Sequence, residues 1–354
     1  MNSIILSNGV VQLCLGWTDT TASLAQALMK FLQPWFRPAT TKRKADLTVH
    51  LRSPSAFVAS WRARCVEPFV LRRSSAPLFN LVVKRGLSEE GMQLAWDEQR
   101  NVGYVIDSVA SGVTLYGELS TAFIHLIELV RYYGLLIEQA QGTVILHSAA
   151  VRQRDSDNVI AIIGAKGAGK TTTMLSLLAS KNYVYFSGDK LLLSYSEGEL
   201  KVRGWPDYPH VGIGTLHSHA GLAQRLEIRL DREDGTPLPS QHKVLIEPSQ
   251  YLAAIGEPSQ ACGHLSNIVL PRIHEGGQAR YIVMAENEKE AVSPGDLFEW
   301  PHRFITATWH GLPWSARTYS EKVPSDLMCA LRKLPWNYRF GMSNPPIQTA
   351  RGAL

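Results

Sequence analysis

The sequence predicts an α/β protein in two parts, a small α+β module followed by a larger domain built on a mixed sheet. Three observations carry this. Short apolar runs separated by turn residues fill residues 1–117 around one stretch of helical periodicity. A longer amphipathic stretch, Glu118 to Gln141, follows and stops at Gly142. A glycine-rich loop then joins an apolar run to a second helical pattern. The chain has 354 residues, 45% hydrophobic and 19% charged. That length suits about two domains at roughly 100–200 residues each, with enough apolar material for real cores.

In the first part, Leu24, Ala27, Leu28 and Leu32 fall at helical spacing and predict a helix over Thr21 to Trp35. The opening residues, Met1 to Trp17, lack a basic segment ahead of their apolar part and read as a strand pair rather than a leader peptide. Further strands are predicted at Leu47–Leu51, Phe79–Val83, Met92–Trp96, Gly103–Ile106 and Val113–Tyr116. This module, residues 1–117, holds no motif that attaches to chemistry. Its role stays open between substrate recognition and regulation.

The second part is read as residues 118–340, with 341–354 as a loose tail rich in proline and lacking an apolar period. Glu118 to Gln141 bridges the halves. The segment Ala122 to Ile137 comes closest to a membrane span but carries His125, Glu128 and Arg131, which argues for a chain without membrane partners. Cys14, Cys65, Cys262 and Cys329 lie far apart with no metal-ligand spacing, so they fit small buried residues in a reducing cytoplasm. Net charge is +5 with an isoelectric point near 9.0. A phosphate-bearing ligand suits that balance, and nucleic acid is not required by it. The basic residues Lys42, Arg43, Lys44, Arg62, Arg64, Arg72 and Arg73 are scattered, as on a solvated face.

Predicted strands Thr143–Val151 and Val159–Ile163 lead into Gly164–Ala165–Lys166–Gly167–Ala168–Gly169–Lys170–Thr171–Thr172, and a helix is predicted over Thr172 to Ala179. Gly164, Gly169, Lys170 and Thr171 satisfy G-x-x-x-x-G-K-[ST] in the strand–loop–helix context that the motif requires. The physical basis is specific. Glycines let backbone N–H groups close on phosphate oxygens, and the helix N-terminus adds its positive end. Lys170 reaches the β- and γ-phosphates, while the Thr171 hydroxyl ligates Mg²⁺. ATP with Mg²⁺ is therefore the expected ligand, held by residues 164–172.

Two further positions stand out. Tyr183–Ser187 is an apolar run closing on Gly188–Asp189. As a parallel strand beside the loop strand, it delivers Asp189 to the ligand edge of the sheet, to hold Mg²⁺ directly or through water, or to take a proton from an attacking hydroxyl. The alternative is a simple Gly-Asp turn. His147 follows the apolar run Val144–Leu146, and alone reads more often as a structural histidine than a functional one.

Taken together, Leu146–His147–Ser148, Gly164–Thr171 and Gly188–Asp189 resemble the HPr kinase/phosphorylase family, whose C-terminal domain is related in fold to phosphoenolpyruvate carboxykinase. Val202–Arg203–Gly204–Trp205–Pro206–Asp207–Tyr208–Pro209 is similar to that family's Arg-Gly signature and to a Tyr-Pro element of its stand-alone relatives. Pro335–Phe340 looks like their last strand. The resemblance covers roughly residues 118–340. It implies a histidine near the phosphates at His147, a base at Asp189, acceptor positioning by Arg203 and a tendency to form homo-oligomers. Two positions depart from the pattern. Lys190 stands where the family has a second Asp, and Lys201 replaces an acidic residue ahead of Arg203–Gly204. A divalent ion thereby loses carboxylate help at two places, and the stand-alone branch fits better than a true HPr kinase.

The function implied is an ATP- and Mg²⁺-dependent kinase acting on a hydroxyl of a small molecule or a peptide serine. Catalytic residues would be Asp189, His147, Lys170 and Arg203, with Thr171 and Asp189 at the metal. Two other classes stay open: an ATPase or switch protein, and a degenerate kinase that binds nucleotide only. His242, Lys243, His302, Arg303 and His310 are weaker candidates for the surroundings of the site, and Trp205, Trp309, Trp314 and Trp336 read as packing residues.

Overall fold

A computed structural model describes residues 1–40, 43–72, 74, 76–107, 110–258, 260–273, 277–304, 321 and 323–341. The tail 342–354, His310, Trp309, Trp314, Lys42 and Arg73 lie outside the described residues. The protein is a mixed α/β structure with two large mixed sheets. It divides into two compact units, Met1–Gly142 with the described part of Trp300–Glu321, and Thr143–Glu299 with the described part of Lys322–Leu354.

The first unit carries β1 (Asn2–Ser7), β2 (Gln12–Trp17), β3 (Arg37–Pro38), β4 (Leu47–Arg52), β5 (Glu67–Arg72), β6 (Leu81–Leu87), β7 (Gln93–Asp97), β8 (Val102–Asp107) and β9 (Gly112–Tyr116). They form one sheet in the order β3-β1-β2-β4-β9-β8-β7-β6-β5, with β2–β4 and β4–β9 parallel and the rest antiparallel. Helix α1 (Ala22–Leu32) buries Leu24, Ala25, Leu28, Phe31 and Leu32, as its apolar spacing demands. A short helix α2 (Ala59–Arg64) and the strands β3 and β5 are additions to the predicted elements. Phe79 lies in a 3₁₀ turn ahead of β6 rather than in a strand.

Helix α3 (Leu119–Ala140) runs from an N-cap at Glu118 to Gly142, whose φ of +87° lets the chain leave the helix in the left-handed region. By length and composition α3 can cross a membrane, but 78% of its most apolar window is buried inside the protein. Its contacts run to α1 and β9, so it groups with the first unit and the division falls at 142/143, not at 117/118. The charged residues in its centre are satisfied where they lie. Glu128 is fully buried and pairs with Arg131 (2.9 Å) and with Arg72.

The second unit carries β10 (Val144–Gln153), β11 (Asn158–Ile163), β12 (Tyr183–Ser187), β13 (Lys190–Ser196), β14 (Glu199–Gly204), β15 (His210–Gly212), β16 (Lys243–Leu245), β17 (Cys262–Arg272), β18 (Arg280–Val283), β19 (Phe298–Glu299) and β20 (Trp336–Phe340). The main path is β11-β10-β13-β14-β17-β20-β18, and a parallel pairing of β11 with β17 brings the path back to β11. Strand β15 pairs separately with β16. The helices used below are α4 (Lys170–Ala179) and α5 (Ile213–Ser218). Trp205 and Trp336 are nearly fully buried, in keeping with a packing role.

Candidate functional site

Strand β10 organises the site. Val144, Ile145, Leu146, Ala149, Ala150 and Val151 are all buried, the continuous apolar run of a strand covered on both faces. From Ser148 onward it pairs antiparallel with β11, with Ser148 opposite Ile163. Its earlier half pairs with β13 (His147 opposite Lys190) and with the short β19 (Ile145 opposite Glu299). Strand β12 lies along the later half, Ala150 opposite Ser187.

This arrangement corrects one expectation. Strand β12 is not a parallel neighbour of β11, because β10 stands between them and is antiparallel to both. The two strands still run the same way, so both end at the level of His147–Ala150. Nor is Gly188–Asp189 a hairpin turn. Strands β12 and β13 both lie antiparallel along β10, and Gly188–Asp189 interrupts them like a bulge. The break is fixed by the Ser148 N–H donating to the Asp189 carbonyl (3.1 Å) and by the Ser187 hydroxyl donating to the Lys190 carbonyl (2.5 Å). A Cβ at Gly188 would stand 2.7 Å from Asp207 Oδ2 and 2.9 Å from Tyr185 Oη, so a larger residue there would displace the Asp207 or Tyr185 side chain.

The motif loop runs from the end of β11 into α4. Gly169, the helix N-cap, has φ +100°, and a Cβ on it would lie 2.4 Å from Ile273 Cδ1. Residues 165–167 are exposed. The Lys170 ammonium donates to the Gly164 carbonyl (2.6 Å), folding back over its own loop. Burial brings the Lys170 pKa down to about 8, against the opposing pull of Asp189 and Glu299. Lys190 and Lys243 push it the same way as burial, so Lys243 lies within electrostatic reach of the loop. The Thr172 side chain is buried, and its hydroxyl bonds that of Thr215 (2.8 Å) at the start of α5. At Thr172 only the backbone N–H is therefore left to face a ligand.

Beside the loop four side chains meet. His147 Nδ1 contacts Glu299 Oε1, and His147 Nε2 lies 3.8 Å from Asp189 Oδ1. The Lys190 ammonium pairs with Asp189 Oδ2 (2.8 Å) and Glu299 Oε2 (2.7 Å). Burial alone would lower the Lys190 pKa, but the two carboxylates outweigh it and raise it above its ordinary value. Burial likewise works to raise that of Glu299, and the His147 hydrogen bond and Lys190 reverse the sign. Lys190 and Glu299 are thus both ionised at neutral pH.

Glu299 is absent from the sequence reading. Its signal was present but faint: Leu297–Phe298–Glu299 is an apolar pair closing on a carboxylate, too short to read as a strand. Lys190 also needs revision. It does not merely remove a carboxylate; its ammonium bridges two. Lys201 sits farther along the hairpin, opposite Ser194, in partly exposed pairs with Glu197 (3.6 Å) and Glu199 (3.7 Å), so its charge belongs to the surface. Arg203 lies on β14 opposite Leu192, in the strand beyond β13. His302 bonds Gln139 of α3 (2.7 Å) and, with Arg303, belongs to the first unit. Among the described residues, no group of three or more His, Cys, Asp or Glu side chains forms a metal cage. Comparison with known proteins finds no family that matches this chain and no curated protein similar to it.

Proposed function

We propose that the second unit binds a nucleoside triphosphate, ATP with Mg²⁺, and transfers its γ-phosphoryl group to a hydroxyl acceptor, a small molecule or a peptide serine. The observation that carries the proposal is the meeting of His147, on β10, with Asp189, at the break between β12 and β13, within electrostatic reach of Lys170 in the glycine loop. The residues fit the ligand. Gly167 and Gly169 hold left-handed conformations of the kind found in anion-binding loops, and the Lys170 ammonium, now on the Gly164 carbonyl, is a donor that a phosphate oxygen can take up. Thr171 and Asp189 would hold the Mg²⁺, which would supply positive charge against the phosphates.

In transfer, the acceptor oxygen attacks the γ-phosphorus, its proton passes to Asp189, and the bond to the ADP oxygen breaks. Lys170 and the loop amides steady the charge on the phosphates, and His147, held by Glu299, orients the acceptor side. The sequence resemblance supports reading this as an HPr-kinase-like phosphotransferase of the stand-alone type, acting in a reducing, cytoplasmic setting. Arg203 is assigned to acceptor positioning on the resemblance, and self-association rests on the resemblance as well.

One observation favours a second reading. Lys190 neutralises Asp189, and a protein that keeps this pair closed when nucleotide is bound would bind without transferring. A single assay separates the two. Mg²⁺-ATP turnover is followed across hydroxyl acceptors for the native chain, Lys170→Ala and Asp189→Asn, with nucleotide binding measured by calorimetry. Lys170→Ala is expected to lose binding. Asp189→Asn is expected to keep binding within about threefold and lose turnover by about 10²–10⁴-fold. Near-normal turnover in Asp189→Asn removes it as the base, and binding without turnover in the native chain favours the second reading.

A further inference from the structure

Beneath α4 lies a charge that no step above uses. Arg339 is on β20, opposite Pro271 of β17, and is 0% exposed. Its Nη1 donates to the Thr173 hydroxyl (2.8 Å) and its Nη2 to the Ser176 hydroxyl (2.9 Å). These residues belong to the first two turns of the helix that begins at the motif loop. The Arg339 Nε is buried with no hydrogen-bond partner among the described residues, and so is the hydroxyl of Tyr281 nearby. No carboxylate pairs with Arg339 among the described residues.

This is an unusual way to bury a guanidinium. Arginine does not lose its proton to escape desolvation, and hydroxyls solvate its charge without cancelling it. Packing alone would be met at lower cost by an apolar chain of similar volume. A buried cation lacking an internal acid acts over a longer distance than one in water, because the interior screens it poorly. The nearest place built for negative charge is the N-terminal end of the same helix, where the loop amides and Lys170 stand.

We infer that Arg339 is a positioning residue for the polyphosphate: a cation fixed under the loop helix, whose counter-charge is the bound nucleotide. The inference rests on the nucleotide-binding reading above. It acts through α4 and through the field, not by contact. The nucleotide-free protein then carries an uncompensated interior charge, and the ligand relieves it in proportion to the number of phosphates.

The test uses the full chain. Affinities for ATP and AMP are measured by calorimetry, and melting temperatures with and without ATP, for the native protein, Lys170→Ala, Arg339→Met and Arg339→Lys. Arg339→Met is expected to melt no lower than the native protein without ligand. It should bind ATP about 5–50-fold more weakly, lose much less for AMP, and recover most of the ATP affinity as Arg339→Lys. Unchanged ATP affinity in Arg339→Met, or equal losses for ATP and AMP, overturns the inference and leaves Arg339 a packing residue. If Arg339→Met does not fold, Arg339→Gln drops the charge, keeps amide donors for Thr173 and Ser176, and reads the same comparison. A native protein that binds no ATP instead overturns the nucleotide-binding reading itself.

Discussion

In the first unit Arg72 and Arg131 close on one fully buried carboxylate, Glu128. Nearby, buried His125 stands between Tyr104 (2.6 Å) and Asp97 (3.0 Å), and Asp97 also takes Arg100 (3.0 Å). Among the described residues of the second unit, the hydrogen bonds of Arg339 run to hydroxyls and those of Lys170 to loop carbonyls. Asp189 and His147 keep about a third of their side-chain surface exposed beside them. Arg339 is buried as fully as Glu128, and what differs is the closure. Charges balanced within the fold serve the fold. Charges without an internal counter-charge among the described residues are those that the proposed nucleotide would balance.

The largest effect that tests this difference falls on the closed set. Glu128→Ala leaves two arginines over a buried gap and is expected to cost about 3–5 kcal/mol of stability, read as a lower melting transition with unchanged ATP affinity. A loss below about 1 kcal/mol would mean that Glu128 does not hold the set together, and the contrast between the units would fail.

A smaller effect is expected at Glu299, in the open set. Glu299→Gln releases His147 and Lys190 while preserving shape. Turnover should fall about 10–100-fold with ATP affinity within threefold, as for partners that orient functional groups. Should affinity fall and turnover hold, Glu299 belongs to nucleotide binding and not to the orientation of His147.

The smallest effect is a pH dependence in the first unit. Burial lowers the His125 pKa below 6.5, with Asp97 opposing only in part. Between that lowered value and 6.5 the unfolded chain holds a proton that the native state refuses, so stability is lost as pH falls below 6.5. Amide protection across β7 and β8, corrected for the intrinsic pH dependence of exchange, should fall from pH 7 to 5.5, and His125→Gln should flatten the trend. Asp97 works in a different window. Its own burial would raise it, but bonds from His125 and Arg100 hold it below 3.8, so its contribution is lost only in stronger acid.

What the sequence made legible was local. Alternating runs gave β4, β7, β8 and β9 nearly to the residue, and glycine placement gave the end of α3 and the loop before α4. The missing parts depend on which strands meet. Whether β12 neighbours β11 or β10 is decided by topology, and nothing in Tyr183–Ser187 encodes it. Glu299 joins the site through a two-residue strand, far below the length at which periodicity can be read. Arg339 sits in an otherwise apolar and amide-bearing strand, and only its burial against Thr173 and Ser176 distinguishes it from a surface arginine. Lys190 reads as a lost acid until the facing carboxylate of Glu299 is known.

The distances along the chain give the centre a timetable. His147 and Glu299 are 152 residues apart, and Thr173 and Arg339 are 166 apart. At about 5–20 residues per second, a ribosome completes the glycine loop and leaves His147 waiting roughly 8–30 s for its carboxylate. Contacts of such separation also form late in folding, because the chain between them must be ordered first. A nascent chain therefore presents loop amides and Lys170 before either Glu299 or Arg339 exists.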